Sequence, residues 1–442
     1  MQYINANRLN HLTINLFNKM KTSFYCIPIE DGNRTILFDS MSKSFIQLRT
    51  DRFKEIYSNS MFLLNKLSEE EKTLLVENGF LLEDSIDQQA VIITGKHHAR
   101  LQKNSYHMII NPTLDCNLSC WYCYESHVAN SRLNDELVEA ICKHIEFKYY
   151  EDSIRFLHLS FFGGEPLIAS KEICTILSFA CSFCSKFDIE LNIHFTTNGT
   201  IISNKVLDVL KGTKTTFQIT LDGNSTKHNQ IRCFKKNGRG TFDLICKNIK
   251  RTLDLLPNAK IILRINYDEE TLLHSGDLLD FIATMETKRV SISLHKVWQI
   301  SKESIDTEKL FDLIFQIREL GFNIDIQGYP IHMNTCYADC LNACIINYNG
   351  DIYKCSARDF KEANSCGKLN KHGIIIWDYD KLKEYCFCQI PSKCKECVLL
   401  PCCPGICSQQ VIENGDSSLC IMDKRTTIEE VVLLRYYLTT KK

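Results

Sequence analysis

The sequence predicts an α/β protein: a parallel sheet, open or curled into a partial barrel, between a small α+β unit and a cysteine-rich tail. Three observations carry this expectation. From Tyr106 to about Gln327, six short β-rich runs alternate with helical patterns, and such alternation builds parallel sheets with crossover helices. Ahead of it, residues 1–100 mix shorter strand-like and helical segments. Behind it cysteines accumulate: 13 of the 23 fall between Cys336 and Cys420.

The elements follow in order. Segments around Phe24–Ile29 and Thr35–Phe38 alternate as strands and flank a turn at Asp31-Gly32-Asn33. A helical pattern follows near Phe53–Leu67. Ser68-Glu69-Glu70-Glu71 then reads as a capped helix start for Lys72–Glu77, which Asn78-Gly79 ends. About Asp84–Ser105 few structural signals remain. Within residues 106–328 the expected strands are His107–Thr113, Arg155–Phe162, Glu190–Thr196, Thr215–Leu221, Lys260–Asn266 and Arg289–Val297. The helices between and after them are expected near Asp135–Tyr149, Lys171–Lys186, Asn204–Leu210, Thr241–Leu256, Leu272–Thr287 and Asp306–Leu320. Six such units are fewer than the eight of a closed barrel. Residues 336–442 break the pattern with turns and hairpin-like pieces such as Ile345–Lys354, then a helix near Thr427–Leu438. This tail has few large apolar residues for its length, so bound metal would supply the missing cohesion.

Composition narrows the function. At 442 residues with 44% apolar and 24% charged residues, the chain suits a globular protein with a large core. Lys plus Arg is 52 against 53 Asp plus Glu. That balance gives no electrostatic case for nucleic acid or an anionic membrane as partner. The first 21 residues lack the apolar core of a secretion signal. No stretch approaches the roughly 18 apolar residues of a spanning helix. A cytoplasmic protein is expected, and there dense thiols bind metal more often than they form disulfides.

The motif with the most chemistry is Asn111-Pro-Thr-Leu-Asp-Cys116-Asn-Leu-Ser-Cys120-Trp-Tyr-Cys123-Tyr. Three cysteines spaced C-x3-C-x2-C fall in a loop directly after the first strand of the sheet. Thiolates suit iron–sulfur clusters or zinc. Three of them on a four-iron cubane leave one iron open to a small chelating molecule. The competing reading is a zinc site with His127 as fourth ligand. Further on, Phe162-Gly163-Gly164-Glu165-Pro166 closes the second strand, Thr196-Thr-Asn198-Gly199 the third and Thr220-Leu-Asp-Gly223 the fourth, with Arg232 following. Singly, each is a tight turn. Jointly they lie at the C-terminal ends of successive strands, where βα loops build ligand sites.

Cys116, Cys120 and Cys123, with Tyr122 before the third cysteine, resemble the signature of the radical S-adenosylmethionine superfamily, and the later motifs occur in that family's order. The resemblance implies a partial (β/α)6 barrel over residues 106–328 and a first [4Fe-4S] cluster on these three cysteines. It implies that Gly163, Gly164, Glu165 and Pro166 form the turn that holds the amino group of S-adenosylmethionine. Thr220 and Arg232 would hold its carboxylate, which suits a guanidinium, and Asn198 is a ribose-side candidate.

The tail carries Cys340, nine residues, Gly350, four residues and Cys355, then Cys394-x2-Cys397-x5-Cys403-x3-Cys407 and Cys420. This resembles the SPASM extension of radical enzymes that modify peptides and proteins. With Cys336 added, eight thiolates suffice for two auxiliary [4Fe-4S] clusters, three clusters in all. By that family's interleaved ligation the first would use Cys336, Cys340, Cys355 and Cys407, and the second Cys394, Cys397, Cys403 and Cys420. Cys344 competes with Cys336 and Cys340. Cys366, Cys386, Cys388 and Cys402 are either spare ligands or small buried residues. Burial is expected for Cys26, Cys142, Cys174, Cys181, Cys184, Cys233 and Cys246.

The resemblance implies that reductive cleavage of S-adenosylmethionine, fed by an external flavodoxin- or ferredoxin-type donor, yields a 5′-deoxyadenosyl radical that takes hydrogen from a substrate. Residues 1–100 resemble the winged-helix element with which peptide maturases capture a precursor's leader by strand addition; a purely structural role is the alternative. A DNA-binding role is disfavoured by 12 basic and 12 acidic residues in this stretch. The expected product is a peptide with a thioether, carbon–carbon or carbon–oxygen crosslink. Formylglycine formation by a sulfatase-maturing enzyme is the competing activity. Those enzymes carry an aspartate as base directly after the cysteine equivalent to Cys355; here that residue is Ser356, though Asp359 or Asp351 could substitute. A zinc-rich scaffold without catalysis would explain Cys394-x2-Cys397 but not the strand-end series.

Overall fold

The computed structural model describes residues 19–274, 276–297, 307–326, 335–416, 418, 420–422 and 427–440. The chain divides into two compact units: residues 1–100 with 328–336 and 389–442, and residues 101–327 with 337–388.

Among its described residues the first unit contains seven short strands: β1 (Met20–Thr22), β2 (Cys26–Asp31), β3 (Arg34–Asp39), β4 (Ser44–Arg49), β5 (Tyr57–Ser58), β6 (Met61–Phe62) and β7 (Leu81–Glu83). β2, β3 and β4 form an antiparallel sheet, while β1 pairs with β7 and β5 with β6. The β2–β3 turn is the expected one, with Gly32 at φ +62°. Helix Glu69–Glu77 starts with a capping box: the Glu71 N–H donates to Ser68 Oγ at 3.1 Å and the Ser68 N–H to Glu71 Oε2 at 2.9 Å. Buried Leu37, Ile46, Phe53, Ile56 and Phe80 share one core. Ile27, Ile29 and Phe38 share another with Leu399, Cys402 and Val432 from the C-terminal part of the unit.

Two expectations here need correction. The pattern near Phe53–Leu67 is not one helix: Thr50–Ile56 is helical, and β5 and β6 follow as a hairpin. Asn59 and Ser60 turn it at φ +50° and +61°, the double positive φ that two-residue hairpins need and that polar residues tolerate. The segment with few signals contains a helix, Gln88–Leu101. Its β-branched run Val91-Ile-Ile-Thr94 and Gly95 lower local helix propensity. Packing decides instead, since Ile92 and Ile93 lie against Tyr25, Ile390 and Leu400.

The second unit is built on β8 (Ser105–Asn111), β9 (Phe156–Phe161), β10 (Glu190–Thr197), β11 (Lys214–Thr220), β12 (Lys260–Tyr267), β13 (Val290–Lys296) and β14 (Asn323–Ile326). These strands are parallel and adjacent in sequence order. The first six match the expected strands to within two residues; β14 adds a seventh. β15 (Ala343–Asn347) joins the free side of β8, also in parallel, and β16 (Asp351–Tyr353), β17 (Gly367–Leu369) and β18 (Ile375–Trp377) continue as an antiparallel meander. The hairpin expected at Ile345–Lys354 is therefore part of the main sheet. Where one helix is expected at Leu272–Thr287, two occur, Glu269–Leu273 and Gly276–Ala283, and an unforeseen helix Ser225–Ile231 follows β11.

Inside the sheet Phe161, Phe195 and Phe217 occupy one cross-strand row on β9, β10 and β11, with ring centroids 5.0 and 5.1 Å apart. All three are fully buried. Such ladders add register specificity to the area they bury. Segment Pro166–Lys186 is long and apolar enough for a bilayer by composition, but Ile173, Ile176, Leu177, Ala180 and Phe183 of its helix are core residues.

Four imidazoles of this unit are held neutral. Burial pushes His107, His144 and His194 down to about 4 and His228 to about 3. Unfolding returns each to an ordinary value near 6.5, so below that pH the unfolded chain binds more protons and stability falls with acidity. The contribution is complete above about pH 6.5 and lost progressively towards pH 4, roughly 2 kcal/mol per imidazole at pH 5. The melting temperature of the intact protein should therefore drop between pH 7 and pH 5. Replacing His144 with Gln should flatten that drop, read by calorimetry across the same range.

Candidate active site

The cysteine motif lies in the loop after β8. Thr113 Oγ1 donates to the Ser131 carbonyl at 2.6 Å, the Leu114 N–H to Ser131 Oγ at 2.8 Å, and the Leu133 N–H to the Pro112 carbonyl at 2.9 Å. The far side of the loop is tied to the segment after Arg232: the Ser119 N–H donates to the Cys233 carbonyl at 3.1 Å and the Lys235 N–H to that of Asn117 at 2.9 Å.

Gly163 and Gly164 press on the same loop. A Cβ on Gly163 would stand 2.3 Å from the Thr113 carbonyl oxygen, and one on Gly164 2.3 Å from that of Asp115. Both are backbone contacts that no side chain can relieve, and Gly163 also has φ +102°. The Glu165 N–H donates to the Asp115 carbonyl at 2.8 Å.

Cys116, Cys120 and Cys123 open on one cavity beyond the ends of the parallel strands, shared with Tyr122, Gly163, Gly164, Asn198, Thr220 and Arg232. Two residues expected at the site stand behind its wall. Fully buried Glu165 accepts from Thr197 Oγ1 at 2.7 Å, from the Asn198 N–H at 2.7 Å and from the Leu167 N–H at 3.0 Å. Pro166 opens the short helix Pro166–Ala169 and is buried beside it. Asn198 donates to Asn117 Oδ1 at 2.8 Å and lies 3.9 Å from Cys116 Sγ.

One carboxylate that the sequence reading did not single out organises the opposite wall. Asp222, 1% exposed, accepts from Tyr122 Oη and from Asn266 Nδ2, the latter at 3.0 Å. Arg232 Nε is 3.1 Å from Asp222 Oδ2, close enough to pair though not aligned as a hydrogen bond. Arg232 Nη1 approaches Cys120 Sγ at 3.6 Å. Arg264 and Asn266 of β12 also line the cavity, as does Glu125, whose Oε1 is sealed from solvent with no hydrogen bond. Burial, with Asp359 and Glu165 nearby, raises the Glu125 carboxyl to about 8. These residues carry no motif; their only sequence mark is a polar side chain at a strand end or next to the cysteines.

The donor set suits a metal cluster. Burial pushes the Cys116 thiol up to about 12 and raises Cys120 and Cys123 as well, so free thiols there stay protonated and poorly nucleophilic. A metal would stabilise them as thiolates. His127 Nε2 is 3.6 Å from Cys123 Sγ and its Nδ1 is 3.2 Å from Lys235 Nζ. Among the described residues no three His, Cys, Asp or Glu side chains stand close enough to share one ion. A cubane instead presents a separate corner iron to each thiolate.

The remaining cysteines divide by environment. Cys394, Cys397, Cys403 and Cys420 belong to the first unit. Burial raises the Cys394 thiol, with Cys397 and Cys420 among the charges near it. Lys96, 3% exposed on the unforeseen helix, donates to the Cys403 carbonyl at 2.6 Å. Of the other proposed set, Cys336 and Cys407 belong to the first unit and Cys340 and Cys355 to the second. Cys344 is 2% exposed on β15, with Sγ 2.9 Å from Tyr106 Oη. Cys366, Cys386 and Cys402 are buried while Cys388 is partly exposed; Cys26, Cys184 and Cys246 are buried as expected, but Cys142, Cys174, Cys181 and Cys233 only partly.

The glycine contact yields a test. Gly164→Ala must push the cysteine loop off its seat, so after anaerobic reconstitution with iron and sulfide the variant should lose about four irons per chain, one cubane. Gly95→Ala, whose added Cβ meets nothing within 4 Å and whose backbone is helical, should keep its iron. Iron and sulfide analysis reads both.

Comparison with known proteins agrees with this geometry. Residues 110–282 match the family model described as Radical SAM superfamily. The cysteine-type anaerobic sulfatase-maturating enzyme of Clostridium novyi is 24% identical over 346 residues, 70% of this chain and 90% of that protein. The radical SAM cyclopropyl synthase TigE of Paramaledivibacter caminithermalis is 22% identical over 361 residues, 74% of this chain and 72% of that protein. In fold the chain is similar to Streptococcus suis SuiB bound to precursor peptide SuiA, with a TM-score of 0.51, 20% identity, and coverage of 90% of this chain and 98% of that one. The cysteine loop, the Gly-Gly turn and the parallel strands fall in that order within the matched region, and residues 110–282 are thus similar to the radical SAM superfamily of enzymes.

Proposed function

We propose that the chain modifies a ribosomally made precursor peptide, leaving a thioether or a carbon–carbon or carbon–oxygen crosslink. The observation that carries this reading is the single cavity on which the three cysteines, the glycine turn, Thr220 and Arg232 all open. When bound there, a [4Fe-4S] cluster and S-adenosylmethionine supply reductive S–C5′ cleavage and a radical able to take an unactivated hydrogen. The chain supplies position and exclusion of water. Cys116, Cys120 and Cys123 would ligate the cluster. Gly163 and Gly164 fix the loop, Thr220 and Arg232 would hold the methionine carboxylate, and Asn198 and Tyr122 would line the nucleoside side. Glu165 and Pro166 act from behind by holding the ends of β9 and β10 together.

A peptide substrate is supported by likeness to SuiB, whose structure contains a precursor peptide, and that likeness spans nine-tenths of the chain. It therefore reaches well into residues 1–100, the proposed leader-binding element. Auxiliary [4Fe-4S] clusters on Cys336, Cys340, Cys355 and Cys407, and on Cys394, Cys397, Cys403 and Cys420, would accept the electron released as the product closes. An external flavodoxin- or ferredoxin-type protein would supply the priming electron.

The sulfatase-maturing alternative has the Clostridium novyi relative in its favour. The local chemistry argues against it. Ser356 Oγ is 2.7 Å from Tyr337 Oη. Asp359 accepts from the Ser126 N–H at 3.1 Å and Oγ at 2.9 Å, and Asp351 is paired with Lys368 at 2.6 Å. Each candidate base near Cys355 is already engaged.

Co-expression with a small precursor peptide encoded nearby, followed by mass spectrometry, tests the reading. The expected product has lost two hydrogens and resists fragmentation between the joined residues. An aldehyde at a single Ser or Cys would favour sulfatase-type maturation, and an untouched peptide beside uncoupled 5′-deoxyadenosine would reject that peptide. Reconstituted protein should bind about 12 irons, three cubanes. Cys394→Ala/Cys397→Ala should lose about four of them and still cleave S-adenosylmethionine, measured as 5′-deoxyadenosine released under dithionite.

A further inference from the structure

The cavity contains two guanidiniums in different electrical states. Arg232 is compensated by the buried carboxylate of Asp222 at 3.1 Å. Arg264 is not: its Nε donates to the neutral Asn266 Oδ1 at 2.9 Å, and among the described residues it has no carboxylate partner. It is partly buried and lines the cavity together with Thr220, its register neighbour on β11. Burial lowers its pKa, with Arg232 adding to the effect and Tyr124, Tyr122 and the more distant Asp222 only partly offsetting it. A guanidinium withdrawn from water beside a second cation is costly unless an anion completes it. The fork that remains after Nε is used fits a planar two-oxygen acceptor.

Asn266 fixes where that fork points. Its Nδ2 donates to Tyr122 Oη at 3.1 Å and to Asp222 Oδ1 at 3.0 Å, which leaves its Oδ1 as acceptor for Arg264. The guanidinium is thus anchored at one end through a network that also holds Arg232, and its remaining nitrogens are available to a ligand.

We propose that Arg264 is a second carboxylate-binding residue of this cavity, beside Arg232, gripping either the methionine carboxylate of S-adenosylmethionine or an acidic side chain of the substrate beside the reacting position. The first source shares the subsite of Thr220. The second rests on the peptide-modifying reading and would make the enzyme selective for Asp or Glu near the modified residue. Arg264 acts by binding.

The experiment uses the full-length reconstituted protein and its Arg264→Gln and Arg264→Lys variants, with iron content and circular dichroism verifying the fold. Equilibrium dialysis compares S-adenosylmethionine with its decarboxylated analogue. If the carboxylate is that of methionine, Arg264→Gln weakens S-adenosylmethionine binding about tenfold, leaves the analogue unchanged, and Arg264→Lys recovers part of the loss. If it belongs to the substrate, S-adenosylmethionine binding stays within about twofold. Enzyme saturated with S-adenosylmethionine then retains acetyl-Ala-Asp-Ala-amide over its Asn counterpart, and Arg264→Gln abolishes that preference. The proposal is overturned if well-folded Arg264→Gln alters neither discrimination. The first comparison involves no peptide, so failure of the peptide reading would leave it intact.

Discussion

The active cavity depends on the absence of two side chains. At Gly163 and Gly164 the end of β9 runs against the carbonyls of Thr113 and Asp115 so closely that a single added carbon has nowhere to go. That contact converts a loop after one strand into a fixed ridge against the next. It is what allows three cysteines within eight residues to face a common space. The hydrogen bonds that the loop donates to Ser131 and Cys233 anchor its flanks, but the glycines set its height over the sheet.

The opposite wall is governed by charge. Asp222 is buried, yet it is surrounded by groups that can answer it: the Tyr122 hydroxyl, the Asn266 amide and the Arg232 guanidinium. Removing a carboxylate from water is tolerable only with such partners. The partners come from the cysteine loop, from β12 and from the turn after helix Ser225–Ile231, so one residue couples the cysteine loop to two strand ends. The buried network explains how Arg232 can stand beside the Cys120 sulfur without being displaced towards solvent.

Much of this was legible in the sequence, because the features with chemical meaning were local. C-x3-C-x2-C, Gly-Gly-Glu-Pro and the strand-end Asn-Gly and Asp-Gly pairs are each contiguous, and the alternation of β and α runs placed them at successive strand ends. The six expected strands needed shifts of at most two residues. What escaped was set by tertiary packing. Helix Gln88–Leu101 hides behind β-branched residues and a glycine, and only its neighbours Tyr25 and Leu400 make it worthwhile. The pattern after Phe53 has helical spacing, yet a two-residue turn at Asn59 and Ser60 overrides it. Asp222 stood inside a turn motif without its role showing, and Asn266, which holds Arg264 two positions away, also bonds Asp222 and Tyr122, the latter 144 positions distant; no short window of sequence contains that network. Glu165 was expected at the ligand as part of the Gly-Gly-Glu-Pro turn, but its oxygens accept from the Thr197 hydroxyl of β10 and the Asn198 N–H of the next turn.

The parallel pairing of β15 with β8 has a further implication. β8 carries the cysteine loop at its end, and β15 covers what would otherwise be an open row of amides and carbonyls along it. Strands β15 to β18 are thus woven into the scaffold of their unit instead of hanging from it as a detachable module. Cutting the protein after the last parallel strand would unzip the flank of the catalytic strand and leave a sticky border for other chains to join.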